Sequence, residues 1–250
     1  MQHLLEKYGY QTTLRAWAVS LFLLTAPIIY FIKPRIPLAA NSASRRLDFG
    51  FLTSKMFGVH QLCNIIQALG YFLPTIYLPT YARSIGASPV LATVPVVLFN
   101  VASTFGCVFM GAIVGRFHVT TCIFVSTVGA TISVFIIWGL SISIAPLCVF
   151  AVIYGFFAGS FTSTWSGIMR DVTQKIRTAE PGLVFSCLAA GRGLGNVVSG
   201  PLSEVLVRGE KWKGNVAMGY GTGFGPLIVF TGVTALLAGA SVLGRRVGWV

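Results

Sequence analysis

Residues 117–169 read FHVTTCIFVSTVGATISVFIIWGLSISIAPLCVFAVIYGFFAGSFTSTWSGIM, without one Asp, Glu, Lys or Arg. A charge held at mid-bilayer costs about 3 kcal/mol, so an apolar run this free of charge marks chain that lies in lipid. One helical crossing takes about 20 residues, and this run is far too long for a single helix. The segment Gly139-Leu140-Ser141-Ile142-Ser143-Ile144-Ala145-Pro146 divides it. Gly and Pro lower helix stability, and the serines suit a short turn. Two spans follow, over 119–140 and 145–168.

The same rule, applied outward, yields five more. Residues 16–32 lie between Arg15 and Lys33; residues 56–82 and 84–115 precede the long run; residues 183–206 are interrupted only by Arg192 and carry Glu204 near their far end; residues 225–243 end at Arg245-Arg246. None carries the polar face that an outer helix of a soluble bundle needs. The chain is therefore expected to be an all-α membrane protein with seven spans. Composition agrees: only 10% of the 250 residues are charged, 55% are hydrophobic and the mean hydropathy is +0.80. Globular proteins carry about 25% charged residues, which leaves little room for a soluble enzyme.

The net charge of +12, from 18 Lys and Arg against 6 acids, would suggest nucleic acid in a soluble protein. Here the basic residues sit between apolar runs, where they set topology and meet anionic membrane lipids. No nucleic-acid partner is expected, because a basic groove interleaved with stacking aromatics is missing. Placing Lys33, Arg35, Arg45, Arg46, Lys55, Arg116, Arg170, Lys175, Arg177, Arg245 and Arg246 in the cytosol leaves fewer outside: Lys7, Arg15, Arg83, Arg208, Lys211 and Lys213. The positive-inside rule then puts the amino terminus outside and the carboxyl terminus inside. The opening residues are mixed in charge and precede no small-residue cleavage site, so they do not read as a signal peptide. Cys63, Cys107, Cys122, Cys148 and Cys187 fall singly in apolar segments, as buried small side chains rather than metal ligands.

Residues 33–50, KPRIPLAANSASRRLDFG, combine two prolines, small residues and paired arginines, and read as a cytosolic connector. It separates one helix, within residues 1–32, from a group of six in residues 51–250.

Polar residues inside spans must face protein or a watery cavity, since lipid cannot satisfy them. His60, Asn64, Gln67 and Tyr71 recur at one helical face of the second span, and Arg192, Asn196, Ser199 and Ser203 repeat that spacing in the sixth. Asn100, Thr104 and Cys107 form a third stripe. Such stripes line a cavity or bond helices together. Arg192 is the sharpest signal: it lies near mid-span, cannot shed its proton, and has no well-placed acid in the sequence. It calls for an anionic ligand, or for an acid on helices outside this chain. His60 could titrate near neutral pH and join proton coupling, or be a structural histidine. Gly111/Gly115, Gly155/Gly159 and Gly191/Gly195 have the spacing for close helix approach, and Pro74, Pro79 and Pro201 are expected to bend helix ends. The sequence holds no HExxH motif, no intramembrane Asp pair, no Ser/His/Asp set at one depth and no GxxxxGK(S/T) loop. Neither an enzyme, nor an ATP-driven pump, nor a cofactor is implied.

NIIQALGYFLPTIYLPTYARSIG at 64–86, GAIVGRF at 111–117, GFFAG at 155–159, IMRDV at 168–172, and RGLGN at 192–196 followed by SGPLS at 199–203 together resemble the fungal monocarboxylate-transporter-like branch of the major facilitator superfamily. They are similar to its seventh helix and loop, the cytosolic loop after the eighth helix, both ends of the tenth, and the eleventh. The resemblance implies the major facilitator fold: a six-helix carboxyl-terminal half plus one preceding helix, the remnant of an amino-terminal half whose first five helices are missing. It further implies alternating access about a midplane site, with proton-linked transport of small monocarboxylates typical of the family. Two features differ from family members: the loop at 111–117 lacks the usual acid, and the third span lacks the acid and arginine that animal members place in their eighth helix.

The expected function is secondary transport of a small organic anion. Its site is expected to comprise Arg192, Asn196, His60, Asn64, Gln67, Tyr71 and Asn100, with another transporter half or a second copy as partner. The competing expectation is a non-transporting membrane protein that associates with an intact carrier. The expected location is the plasma membrane, with a vacuolar or other internal membrane as the alternative.

Overall fold

The structure, a computed structural model, describes residues 2–31, 48–209 and 212–248. Most of the 33–50 connector lies outside the described residues. The chain divides into two compact units, residues 1–46 and residues 47–250.

The first unit contributes helix α1, Gln2–Phe31, interrupted at Gly9, whose φ of 74° interrupts the helical backbone. Its span, Gly9–Phe31, begins earlier than the expected 16–32. Ser20 and Thr25 hydroxyls donate to the Ala16 and Leu21 carbonyls one turn back, which satisfies polar groups on a helix whose Phe22, Leu24 and Ile28 are exposed.

The second unit holds the other six spans. They are built from α2 (Lys55–Ser84), α3 (Val94–Val114), α4 (Val119–Ile132), α5 (Ile144–Gly159), α6 (Trp165–Lys175), α7 (Pro181–Val207), α8 (Gly225–Ala238) and α9 (Ser241–Arg246). Short 3-10 turns join α3 to its loop and α5 to α6, so Leu91–Val114 and Ile144–Lys175 each make one span. Among the described residues, seven helices are long and apolar enough to cross a membrane. Ser54 caps α2 by accepting the Phe57 amide at 3.3 Å. The third span starts at Leu91 instead of 84, because Gly86 at φ 89° turns the chain although nothing in 85–90 is charged.

The break within 117–169 falls where the Gly/Ser/Pro cluster places it, between Trp138 and Ile144. What leads into it is a π-helical stretch, Ser133–Trp138. There the Tyr220 hydroxyl donates to the Phe135 carbonyl at 2.8 Å, fastening the widened turn to the α7–α8 loop.

Two large apolar clusters fill most of the bundle, beside a small one of Met110, Val114 and Cys122. One, toward the Ser84 end of α2, gathers Leu73, Tyr81, Phe99, Trp138, Phe150, Tyr154 and Phe224. Its rings run Trp138 to Phe150 (4.9 Å, stacked), Phe150 to Tyr154 (5.2 Å) and Tyr154 to Phe99 (5.9 Å). The other, toward the Lys55 end, gathers Phe51, Phe57, Ile123, Phe161, Trp165, Val184 and Leu188. Between them lies a belt of buried polar residues: Asn64, Gln67, Ser126, Thr127, Arg192, Thr231 and Thr234.

The expected glycine pairs divide. A Cβ on Gly155 would fall on the Phe99 carbonyl, and one on Gly159 on the Ser103 hydroxyl, so α3 and α5 meet nearly backbone to backbone. A Cβ on Gly195 would meet Ala68 and the Ile65 carbonyl of α2. Gly111 and Gly115 do not serve this purpose: no atom lies within 4 Å of a Cβ placed on Gly111, and Gly115 caps the end of α3.

Candidate functional site

Helices α2 and α7 run parallel, in one register. Gln61 pairs with Cys187, Asn64 with Leu188, Gln67 with Arg192 and Tyr77 with Ser203, at sequence separations of 126, 124, 125 and 126. A constant separation means that the polar stripes predicted on each helix face one another along the seam.

Midway along it sits Arg192, eleven positions past Pro181, where α7 begins. That is about 17 Å at helical rise, half the roughly 30 Å hydrocarbon thickness. The side chain is only 9% exposed. Its Nη1 donates to Gln67 Oε1 at 2.7 Å, and its Cζ lies 4.6 Å from the centre of the Tyr71 ring. A guanidinium over a ring face gains cation–π attraction, about 2 kcal/mol when desolvated. No carboxylate among the described residues pairs with it. Gln67 is fixed in turn by a long bond from its amide to the Ala158 carbonyl, 3.4 Å, and Tyr71 offers its carbonyl to the Tyr154 hydroxyl, 3.4 Å.

The other predicted residues separate into two groups. Asn64 is fully buried and donates to the Leu188 carbonyl at 2.8 Å, a bond between helices, while its Oδ1 has no partner. Ser199 and Ser203 bond back to carbonyls of α7, and Ser203 also accepts from Tyr77 at 3.2 Å. Asn196 is half-buried with an unpartnered Oδ1. His60 is 1% exposed and neither ring nitrogen has a partner. Asn100 stands apart: it is exposed on α3 and donates to the Val96 carbonyl of its own helix at 2.8 Å. Of the cysteines, Cys63 and Cys122 are buried and Cys107, Cys148 and Cys187 half-buried.

Several contributors escaped the stripe pattern, among them Ser126, Thr127, Thr231 and Thr234. Gln61, one position from His60, donates to the Cys187 carbonyl at 2.8 Å and packs on Gly191. Tyr154 and Phe161 join Gln67, Tyr71, Ser126, Thr127, Thr231 and Thr234 around a cavity of about 10 Å³, room for about one water molecule. The buried Thr231 hydroxyl there has no protein partner. A drug-sized ligand needs some 300 Å³ or more, so this gap is an appendage of the Arg192 cluster and not a chamber for a solute.

Outside the spans, His118 caps α4: its Nδ1 accepts the Thr120 amide at 3.3 Å. Desolvation first, then the nearby Arg245, Lys175 and Arg170 cations, hold its pKa below the ordinary histidine value, against the opposing pull of Asp171. Asp48 is held below the usual carboxylate range by the Gly50 amide and then by the Thr178 hydroxyl.

Fold and site together define a multi-pass integral membrane protein that keeps a cation in the middle of its helix bundle. The chain belongs to the Major Facilitator Superfamily, whose family model matches residues 61–247. It is 26% identical over 229 residues to MFS-type transporter 1 of Ophiocordyceps sp., covering 86% of this chain and 49% of that protein. Against an MFS-type transporter of Gibberella moniliformis it is 25% identical over 233 residues, covering 90% and 54%. MFS-type transporter pynF of Aspergillus niger shares 24% over 220 residues, covering 86% and 49%. The chain spans about half the length of the curated relatives it matches.

Proposed function

We propose that residues 51–250 are the carboxyl-terminal six-helix half of a secondary carrier for small organic anions of the monocarboxylate type, working by alternating access against another half. The observation that carries this reading is Arg192: a buried, mid-span guanidinium held by Gln67 and Tyr71, which are uncharged, with no described carboxylate against it. Gln67 uses one of its five donors, and an anion that reaches the seam would take others. Tyr71 supplies an apolar surface suited to a short hydrocarbon tail. Asn196, one turn further along α7, brings an unpartnered carbonyl oxygen to the same stripe. Asn64 and His60 lie one and two turns from Gln67 toward the Lys55 end of α2 and would tune this stripe, His60 as the residue able to exchange a proton in symport.

Uptake tests the reading directly. The chain, expressed together with an amino-terminal half from a relative, is assayed with labelled short-chain carboxylates. Arg192→Gln removes a charge-assisted bond worth about 1.5–3 kcal/mol, so uptake falls about tenfold to a hundredfold at equal surface abundance. Arg192→Lys restores part of it. Carboxylate uptake that ignores Arg192 sinks this reading and favours a protein that associates with an intact carrier without transporting.

A further inference from the structure

Grooves on a lipid-facing surface are expected to be apolar along their length, as two of those beside α4 are. One holds Met110, Ile113, Phe117 and Val125 between α3 and α4; another holds Val128, Gly129, Ile137 and Phe157 between α4 and α5. The third, between α4 and the α8–α9 pair, differs. Phe124, Thr127, Val128, Leu236 and Leu243 line it, its volume is about 410 Å³, and Arg246 closes one end. Arg246 ends the 22-residue span Gly225–Arg246 and Leu236 lies about midway along it, and such a span crosses roughly 30 Å of hydrocarbon core. The groove therefore has the depth of one leaflet, with a cation where the headgroups lie.

Local structure keeps it open. Helix α8 stops at Ala238, and the chain turns through Gly239 and Ala240 before α9 begins. A Cβ on Gly239 would come within 2.7 Å of the Thr127 hydroxyl, so backbone forms the floor while Phe124, Leu236 and Leu243 stand exposed as walls. Arg245 extends the charged end: its Nη1 lies 3.4 Å from the Thr120 hydroxyl and 3.5 Å from that of Thr121, contacts at the long limit of hydrogen bonding. Neither Arg245 nor Arg246 pairs with a described carboxylate; Asp171 is paired with Arg170 at 3.6 Å. At this end of the bundle Lys55, Arg116, Arg170, Lys175, Arg177, Arg245 and Arg246 face only Asp48, Asp171 and Glu180 among the described residues.

We propose that this groove holds one acyl chain of an anionic phospholipid whose phosphate is bound by Arg245 and Arg246. A free phosphate would gain nothing from the apolar walls, and a zwitterionic lipid gains less from two unpaired guanidinium groups. Only a lipid with net negative charge uses both halves of the groove.

The full chain, purified in detergent and stripped of lipid, is titrated with phosphatidylglycerol, phosphatidylcholine or glycerol phosphate and read by native mass spectrometry. Each basic residue near a headgroup contributes about fivefold, so phosphatidylglycerol should bind roughly tenfold or more tighter than phosphatidylcholine. Arg245→Gln with Arg246→Gln should abolish that preference, Arg246→Lys should keep it, and Val128→Trp, which fills the groove, should weaken both lipids. Arg83→Gln at the opposite end should change nothing. The proposal is overturned if the paired Gln variant keeps the preference or if Arg83→Gln removes it equally. It is also overturned if glycerol phosphate competes as well as lipid, the sign of a free-anion site. The same holds if Val128→Trp leaves lipid untouched and shifts the oligomeric state, the sign of a second copy in the groove. Should the paired variant fail to fold, Arg246→Gln alone and Val128→Trp give the same reading independently.

Discussion

Two parallel helix pairs, α2 with α7 and α3 with α5, use the same glycine spacing for opposite ends. In the α3–α5 seam, Gly106 and Gly155 face the backbone carbonyls of Phe156 and Phe99, and Gly159 faces the small Ser103 side chain. In the α2–α7 seam only Gly195, among the described glycines, meets backbone, at the Ile65 carbonyl; one turn earlier Gly191 faces the Gln61 amide, a flexible side chain, and the contact carries Asn64, Gln67 and Arg192. Backbone against backbone gives rigidity and leaves no room for chemistry. Side chain against glycine at Gly191 gives up some packing for polar groups, and the unpartnered Asn64 and Asn196 oxygens mark that incompleteness.

Alanine at three glycines breaks this comparison most strongly. Gly155→Ala pushes a methyl into the Phe99 backbone and should lower stability by about 2–3 kcal/mol, read as detergent-solubilised thermal melting. Gly191→Ala displaces only the Gln61 amide and should cost less than about 1 kcal/mol. Gly111→Ala, in open space, should be neutral or stabilise by about 0.5–1 kcal/mol. Equal losses at Gly155 and Gly191 would erase the distinction between the seams.

A smaller effect of opposite sign is expected at His60. Both ring nitrogens are buried and unpartnered, so His60→Leu should raise stability by about 1–2 kcal/mol through removal of polar groups left unsatisfied. If uptake falls while stability rises, His60 serves transport; a loss of stability shows that the imidazole is satisfied in the membrane. Next comes Asn64→Leu, which removes the bond to the Leu188 carbonyl. Intramembrane bonds between helices average about 0.6 kcal/mol, and a melting shift much above that would make the α2–α7 seam as rigid as its counterpart.

The smallest expected effect lies outside both seams. His118 must be neutral to accept the Thr120 amide, and its folded pKa is held below the unfolded value. Its contribution is therefore present above the ordinary histidine range and lost as pH falls through the lowered folded value. Because the ring is exposed, solvent screens the effect. Melting of His118→Asn, a capping residue that does not titrate, should be flatter with pH across that range than melting of the parent protein.

Sequence and structure agree most closely where lipid sets the terms. The spans over 119–140 and 145–168 appear as Val119–Trp138 and Ile144–Lys175, because a bilayer excludes charge over a fixed thickness and the Gly/Ser/Pro cluster allows one turn. The stripes on α2 and α7 were legible for a related reason: polar groups on a span have to share a face. Asn100 shows the limit of that rule, since a side chain can satisfy itself on its own helix. Gln61 shows the converse, lying one position off the stripe yet reaching α7 because Gly191 makes room.

The sequence by itself determined seven crossings, the placement of polar residues on two faces, and Arg192 as the cation near mid-span, because each is a one-dimensional consequence of charge, hydropathy and the helical period. Tertiary structure alone decided which faces meet. The constant offset of about 125 residues between α2 and α7 sets Arg192 on Gln67 and Tyr71. The glycine contacts of α3 and α5 fix the neighbouring seam, and the turn at Gly239 opens a groove beside Arg246. These are distances between residues far apart in the chain, and they follow from how whole helix surfaces fit together.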